Sequence, residues 1–174
     1  ADVYRGLNRA VFRYYLENQA DSVSIEVLDG TGKLIERFTG KQPEYKQDPK
    51  TEWWDRKPFP PVTAKGLNTF SWNPAWPGAV SFEGMILWSA NAKVGPKAPP
   101  GNYQVRLTSG TYTQMWPFRV LMDPNLKGVT AADLQETFAL AMKIRESESR
   151  NNSAVIRIRE LRSQLKDRLE GCSD

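Results

Sequence analysis

Histidine is absent from this chain of 174 residues. That removes the Ser-His-Asp and Cys-His triads and every imidazole metal site at once. A carboxylate pair or a lysine base is the acid–base chemistry that remains. Cysteine occurs once, at Cys172, so an internal disulfide is excluded. Long apolar runs are missing as well, and no membrane-spanning helix is expected. No signal-peptide pattern stands at Ala1-Asp2-Val3-Tyr4-Arg5. The reading is therefore a processed chain or a piece of a longer one. No spaced set of metal ligands stands out, and neither a metal nor a cofactor is expected.

Charge is modestly unbalanced. There are 24 basic and 20 acidic side chains, a net charge of +4. From Val129 onward the two signs are equal, eight each, so the excess lies upstream. It is scattered over Lys33, Lys41, Lys46, Lys50 and Lys57 rather than stacked. A basic solvated surface explains this better than a nucleic-acid site. Hydrophobic residues make up 40% and charged residues 25%, a composition that folds.

What is present is mostly β-strand patterning. Ala10 to Leu16 is rich in β-formers and predicts a first strand. Ser22-Val23-Ser24-Ile25-Glu26-Val27 alternates, with Val23, Ile25 and Val27 facing inward. Asp29-Gly30-Thr31-Gly32 predicts a hairpin turn into Leu34-Ile35-Glu36-Arg37-Phe38. A calcium loop at Asp29 would need several spaced oxygen ligands, so the turn reading is preferred. Gly66 to Trp72 predicts a fourth strand, with Asn68, Phe70 and Trp72 on one face. Phe82 to Trp88 reads as a short strand near a sheet edge. Tyr103, Val105 and Leu107 alternate inward along the next strand. Thr108-Ser109-Gly110 turns the chain into a closing strand, Thr111 to Leu121, where Pro117 implies an edge or a bulge. About seven short strands with frequent turns predict an immunoglobulin-like or fibronectin-like β-sandwich over residues 1–124.

Residues 125–174 form a helical extension. Thr130 reads as an N-cap, with Asp133 bonding back to it. Glycine and proline are absent from Val129 to Glu170. Leu134, Phe138, Ala141 and Met142 make one apolar stripe. Val155, Ile158, Leu161, Leu165 and Leu169 make a second, the candidate assembly surface. Between them, Arg145 to Ala154 is polar up to its last residue. A continuous helix of this length runs about 60 Å, against roughly 35 Å for a sandwich of this size. The extension is therefore one overshooting helix, or a helical hairpin broken near Ser147 to Ser153. The basic run Ile156 to Arg162 is partly neutralised by Glu160, Asp167 and Glu170, and reads as the flank of a helix pair.

Candidate ligand-contacting residues lie in loops. Between Gly40 and Lys65, five prolines forbid a continuous ladder, and Glu52-Trp53-Trp54-Asp55 sits among them. Paired tryptophans serve either as a sugar-stacking platform or as a loop anchor; the anchor is favoured. Trp76, Trp88 and Glu83 extend this candidate set. Glu83 is the best single carboxylate candidate for a sugar-active site; a glycosidase needs two carboxylates at controlled separation, and Glu83 with Glu52 is the pair such a reading would use.

Taken together, several segments resemble a known arrangement. These are Tyr14-Tyr15-Leu16, Ile25 to Lys33, Gly66 to Trp72, Pro100 to Leu107, Asp123-Pro124, and more weakly Asp133-Leu134-Gln135 and Ile156 to Arg159. They are similar to the C-terminal region of bacterial sortilin-like proteins, secreted proteins with an N-terminal β-propeller of sialidase-type repeats. The strand-turn pattern also resembles the immunoglobulin-like domain of the flagellar hook-capping protein. The resemblance runs from about Ala10 to Leu165. No propeller repeats are present, so no catalytic residue carries over. It implies secretion, or a periplasmic or extracellular location, and further helix beyond the tail. The implied function is a non-catalytic accessory domain whose partner is a protein or an adjacent propeller, with helix-mediated oligomers as an option. The alternatives are a carbohydrate-binding module using the tryptophans and a glycoside hydrolase. Neither nucleic acid nor a membrane span is expected.

Overall fold

The computed structural model describes residues 9–41, 59–85 and 93–171. It is mainly β, with one long C-terminal helix. The strands are β1 (Ala10–Leu16), β2 (Ser22–Asp29), β3 (Leu34–Lys41), β4 (Gly66–Trp72), β5 (Ala75–Pro77), β6 (Val94–Lys97), β7 (Gly101–Ser109) and β8 (Tyr112–Val120), followed by α1 (Ala131–Gly171). The chain divides into two compact units. One comprises Ala1–Pro74 with Pro99–Lys127, the other Ala75–Ala98 with Gly128–Asp174.

Among the described residues, the first unit holds two antiparallel sheets. One has the order β3-β2-β7-β8; the other pairs β1 with β4. Alternation decides which faces are buried. Val23, Ile25 and Val27 of β2 and Tyr103, Val105 and Leu107 of β7 are buried, as are Tyr14 and Leu16 of β1 and Phe70 and Trp72 of β4. Aromatic rings join the two sheets. Phe12 meets Phe118 edge-on at 5.2 Å, Phe38 lies 4.9 Å from Phe70, and Trp72 lies 6.0 Å from Phe118 and 6.2 Å from Tyr103. Aromatic packing of this kind fills the core of a unit in which no cysteine is available. Within that core the Trp72 indole N–H has no acceptor among the described residues.

Two tyrosines tie the strands to the adjoining chain. Tyr14 donates to the Val62 carbonyl at 2.6 Å and Tyr103 to the Pro99 carbonyl at 2.7 Å. Burial pushes the Tyr14 hydroxyl up to about 12, and burial together with the Asp29 charge does the same to Tyr103. Residues 59–63 pass so close to β3 that a Cβ on Gly40 would fall 1.7 Å from the Pro61 carbonyl oxygen. Only glycine permits that approach.

The hairpin at Asp29 forms as a side-chain-supported turn. One Asp29 oxygen, Oδ1, accepts from the Thr31 amide (2.9 Å), the Thr31 hydroxyl (2.6 Å) and the Lys33 amide (3.0 Å). The last strand, β8, lies at the edge of its sheet, where Pro117 is tolerated.

The second unit is built around α1, which is a single helix of 41 residues. Its start is a reciprocal cap. The Asp133 amide donates to the Thr130 hydroxyl at 3.2 Å, and the Thr130 amide donates to the Asp133 carboxylate at 2.8 Å. The segment before it differs from the expected pattern. Ala75–Pro77 and Val94–Lys97, where no strand is expected from the sequence, pair as the short antiparallel ribbon β5–β6. The strand expected from Phe82 is instead a turn over its described part. The Met85 amide reaches the Phe82 carbonyl at 3.4 Å, and Gly84 takes a φ of 77°. Residues 86–90 lie outside the described residues.

Candidate functional site

The tryptophan set does not come together within the described residues. Trp53, Trp54 and Trp88, with Glu52, lie outside them. Trp76 is half-buried, its ring centroid 4.7 Å from that of Phe138 on α1. Packing against the helix covers part of the face that a sugar ring would need. Glu83 is exposed in the turn after Phe82, and its backbone carbonyl accepts from Arg159 at 3.1 Å. Among the described residues, no three acidic or cysteine side chains are grouped so as to hold a metal ion. No helix among them is long and apolar enough to cross a membrane.

The helix presents two different faces. One is covered by the segment Ala75 to Met85 of its own unit. Arg145 donates to the carbonyls of Pro77 (2.6 Å) and Gly78 (3.1 Å). Ser149 accepts from the Val80 amide at 3.2 Å, and Asn152 donates to the Val80 carbonyl at 2.6 Å. The Arg159 guanidinium lies 4.5 Å from the Phe82 ring centroid. Spacings of four, three and seven place these side chains on one face, continuous with Phe138 and Met142.

The other face is apolar and is covered by none of the described residues. Ile144, Asn151, Ile158 and Leu165 recur every seven residues, and Leu140, Ala154 and Leu161 each stand four residues before an apolar member of that series. This is the spacing of a coiled-coil seam. Ile158 and Leu165 are 64% and 62% exposed, and Leu140 and Ile144 are exposed to a similar degree. Ile158, Leu161 and Leu165, with Leu169, line a shallow apolar groove flanked by Arg162 and Lys166. Of the assembly residues named from sequence, Val155 is half-buried and sits between the two faces.

Sequence reasoning did not single out a third place, on the face of the four-stranded sheet opposite the aromatic core. Glu26 of β2 stands directly across from Arg37 of β3 and Arg106 of β7. Its side chain is only 6% exposed. Arg37 donates through Nε to Glu26 Oε1 at 2.6 Å, with its Nη2 close to the same oxygen. Arg106 donates through Nε to Oε2. Burial opposes ionisation of Glu26, but hydrogen bonds and charge from Arg106 and Arg37 outweigh it and hold the carboxyl below its ordinary value. In the next register row stand Thr39, Ser24, Thr108 and Thr113, all hydroxyl-bearing. Ser24, Thr108 and Thr113 line a shallow depression with Glu26 and its two arginines. The β2–β3 half of this arrangement could be found from the Asp29-Gly30 hairpin. The β7 half depends on a pairing between strands 80 positions apart.

Comparison with known proteins finds no matching family model, no similar curated protein and no similar solved structure.

Proposed function

We propose that this chain is a non-catalytic interaction module of a secreted multidomain protein, and that α1 is its assembly element. The observation that carries this reading is the uncovered heptad seam through Ile144, Ile158, Leu161 and Leu165. Leaving such a stripe in water is costly, and a second helix removes that cost by seating knobs into its holes. The polar Asn151 in the seam is the kind of residue that fixes register between paired helices. The resemblance to the C-terminal region of sortilin-like proteins supports the same reading, since it implies further helix. A helix of another protein domain is then the natural partner of the seam.

The strand unit is proposed to be an immunoglobulin-like sandwich. Its order β3-β2-β7-β8 corresponds to C′-C-F-G in that family, with β1 and β4 as B and E. Tyr103, near the start of β7, bonds back to the Pro99 carbonyl four residues upstream. That resembles the tyrosine corner of such domains.

The test is self-association, because a seam that seeks a helix will find a second copy when nothing else is present. Sedimentation velocity across a concentration series should show reversible growth in mass. Ile158→Lys with Leu165→Lys should abolish it while far-UV ellipticity is retained. A wild-type chain that stays monomeric up to about 100 μM, near −5.5 kcal/mol in binding terms, would overturn the assembly role.

A further inference from the structure

The polar face of the four-stranded sheet carries more than a buried ion pair. On β2, β3, β7 and β8 the strand positions of this face include the cations Arg37, Lys41, Arg106 and Arg119 against one acid, Glu26. Among the described residues, no strand position on this face carries an aromatic ring. It is therefore a basic, hydroxyl-rich surface, unlike the stacking platforms that take neutral sugars.

Glu26 organises the two central cations. It occupies the Nε edge of each guanidinium and is itself nearly inaccessible. Arg106 meets it through Nε alone, so both of its Nη groups are left as donors among the described residues. Arg37 retains Nη1. Two guanidiniums on one carboxylate leave a net positive charge, and their pinning lowers the entropy lost when a ligand is held. Planar N–H forks of this kind suit an oxyanion. The Ser24, Thr108 and Thr113 hydroxyls line the same depression, where they can exchange hydrogen bonds with ligand hydroxyls. Thr108 and Thr113 already lie 3.2 Å apart, oxygen to oxygen.

We propose that this depression binds the carboxylate of an acidic saccharide, with Arg37 and Arg106 as its anion ligands and the hydroxyl row as its sugar contacts. The test is a titration of the intact chain with sodium glucuronate, glucose and sodium sulfate at constant ionic strength, followed by the Nε–Hε resonances of Arg37 and Arg106 and the amides of Ser24, Thr108 and Thr113. Glucuronate should give saturable shifts at these positions, glucose none, and sulfate a weaker response. Arg106→Gln should weaken glucuronate about tenfold or more. If that variant does not fold, the more exposed Arg37→Gln carries the same comparison. Thr113→Val should weaken glucuronate and leave sulfate unchanged, which separates a sugar site from a generic anion site. Absence of saturation, sulfate binding as tight as glucuronate, or glucuronate shifts that survive both arginine substitutions would overturn the proposal. Tighter binding of an oligonucleotide at the same resonances would overturn it as well.

Discussion

Glu26 shows how one residue couples stability to pH. Its carboxyl titrates below the ordinary range, as does that of Asp29, where burial is outweighed by hydrogen bonds from Thr31 and Lys33. Both groups bind protons less readily in the folded chain than in the unfolded one. The stability they confer is therefore complete above the usual carboxylate range and lost as pH falls through their lowered values. Glu36 runs the other way, because burial raises its carboxyl. Its contribution is largest in acid and fades as pH rises past the ordinary glutamate value. Glu26→Gln should consequently lower the urea midpoint clearly at pH 7 and less at an acidic pH below the ordinary glutamate value, where the stabilisation is lost as pH falls through the lowered value. Equal losses at the two pH values would show that the charge on Glu26 adds nothing to stability.

At the scale of elements, the polar stretch of α1 carries the most information. A break near Ser147 to Ser153 was one reading of a run without apolar residues. The helix continues through it because Arg145, Ser149 and Asn152 face backbone groups of residues 77–80, which offer carbonyls and an amide rather than apolar surface. Asn152 is 7% exposed and spends an amide proton on the Val80 carbonyl. Asn152→Leu removes the donor and leaves that carbonyl unpaired, at a cost of about 1–3 kcal/mol. Faster amide exchange around Val80, with β2 and β7 unchanged, is the expected result. What was legible in the sequence follows from locality. Alternation at Val23, Ile25 and Val27, the Asp29 turn, the Thr130 cap and the edge role of Pro117 all depend on neighbours in the chain. The β5–β6 ribbon and the polar helix face were hidden because their partners are remote, and because prolines and glycines around Trp76 read as loop. The arginine pair on Glu26 was hidden for the same reason, since β7 joins β2 only in the folded sheet.

For the whole molecule, the connectivity sets a dependence between segments. The chain leaves the strand unit after Pro74, returns at Pro99, and leaves again after Lys127. The second unit is thus assembled from an excursion between β4 and β7 and from the C-terminal helix. Over its described residues the excursion has little core of its own: Trp76 packs on Phe138, and the backbone of Pro77, Val80 and Glu83 bonds to helix side chains. The strand unit, by contrast, buries its own aromatic and aliphatic core. Ending the chain after Lys127 should therefore leave β2 and β7 amides protected from exchange and keep the near-UV signature of Trp72, while β5 and β6 lose protection. The asymmetry follows from where the apolar surface is buried, because a two-stranded ribbon of this length is not stable alone in water. Loss of protection throughout β2 and β7 in the shortened chain would mean that the helix supports both units. Retention at β5 and β6 would mean that the excursion folds without it.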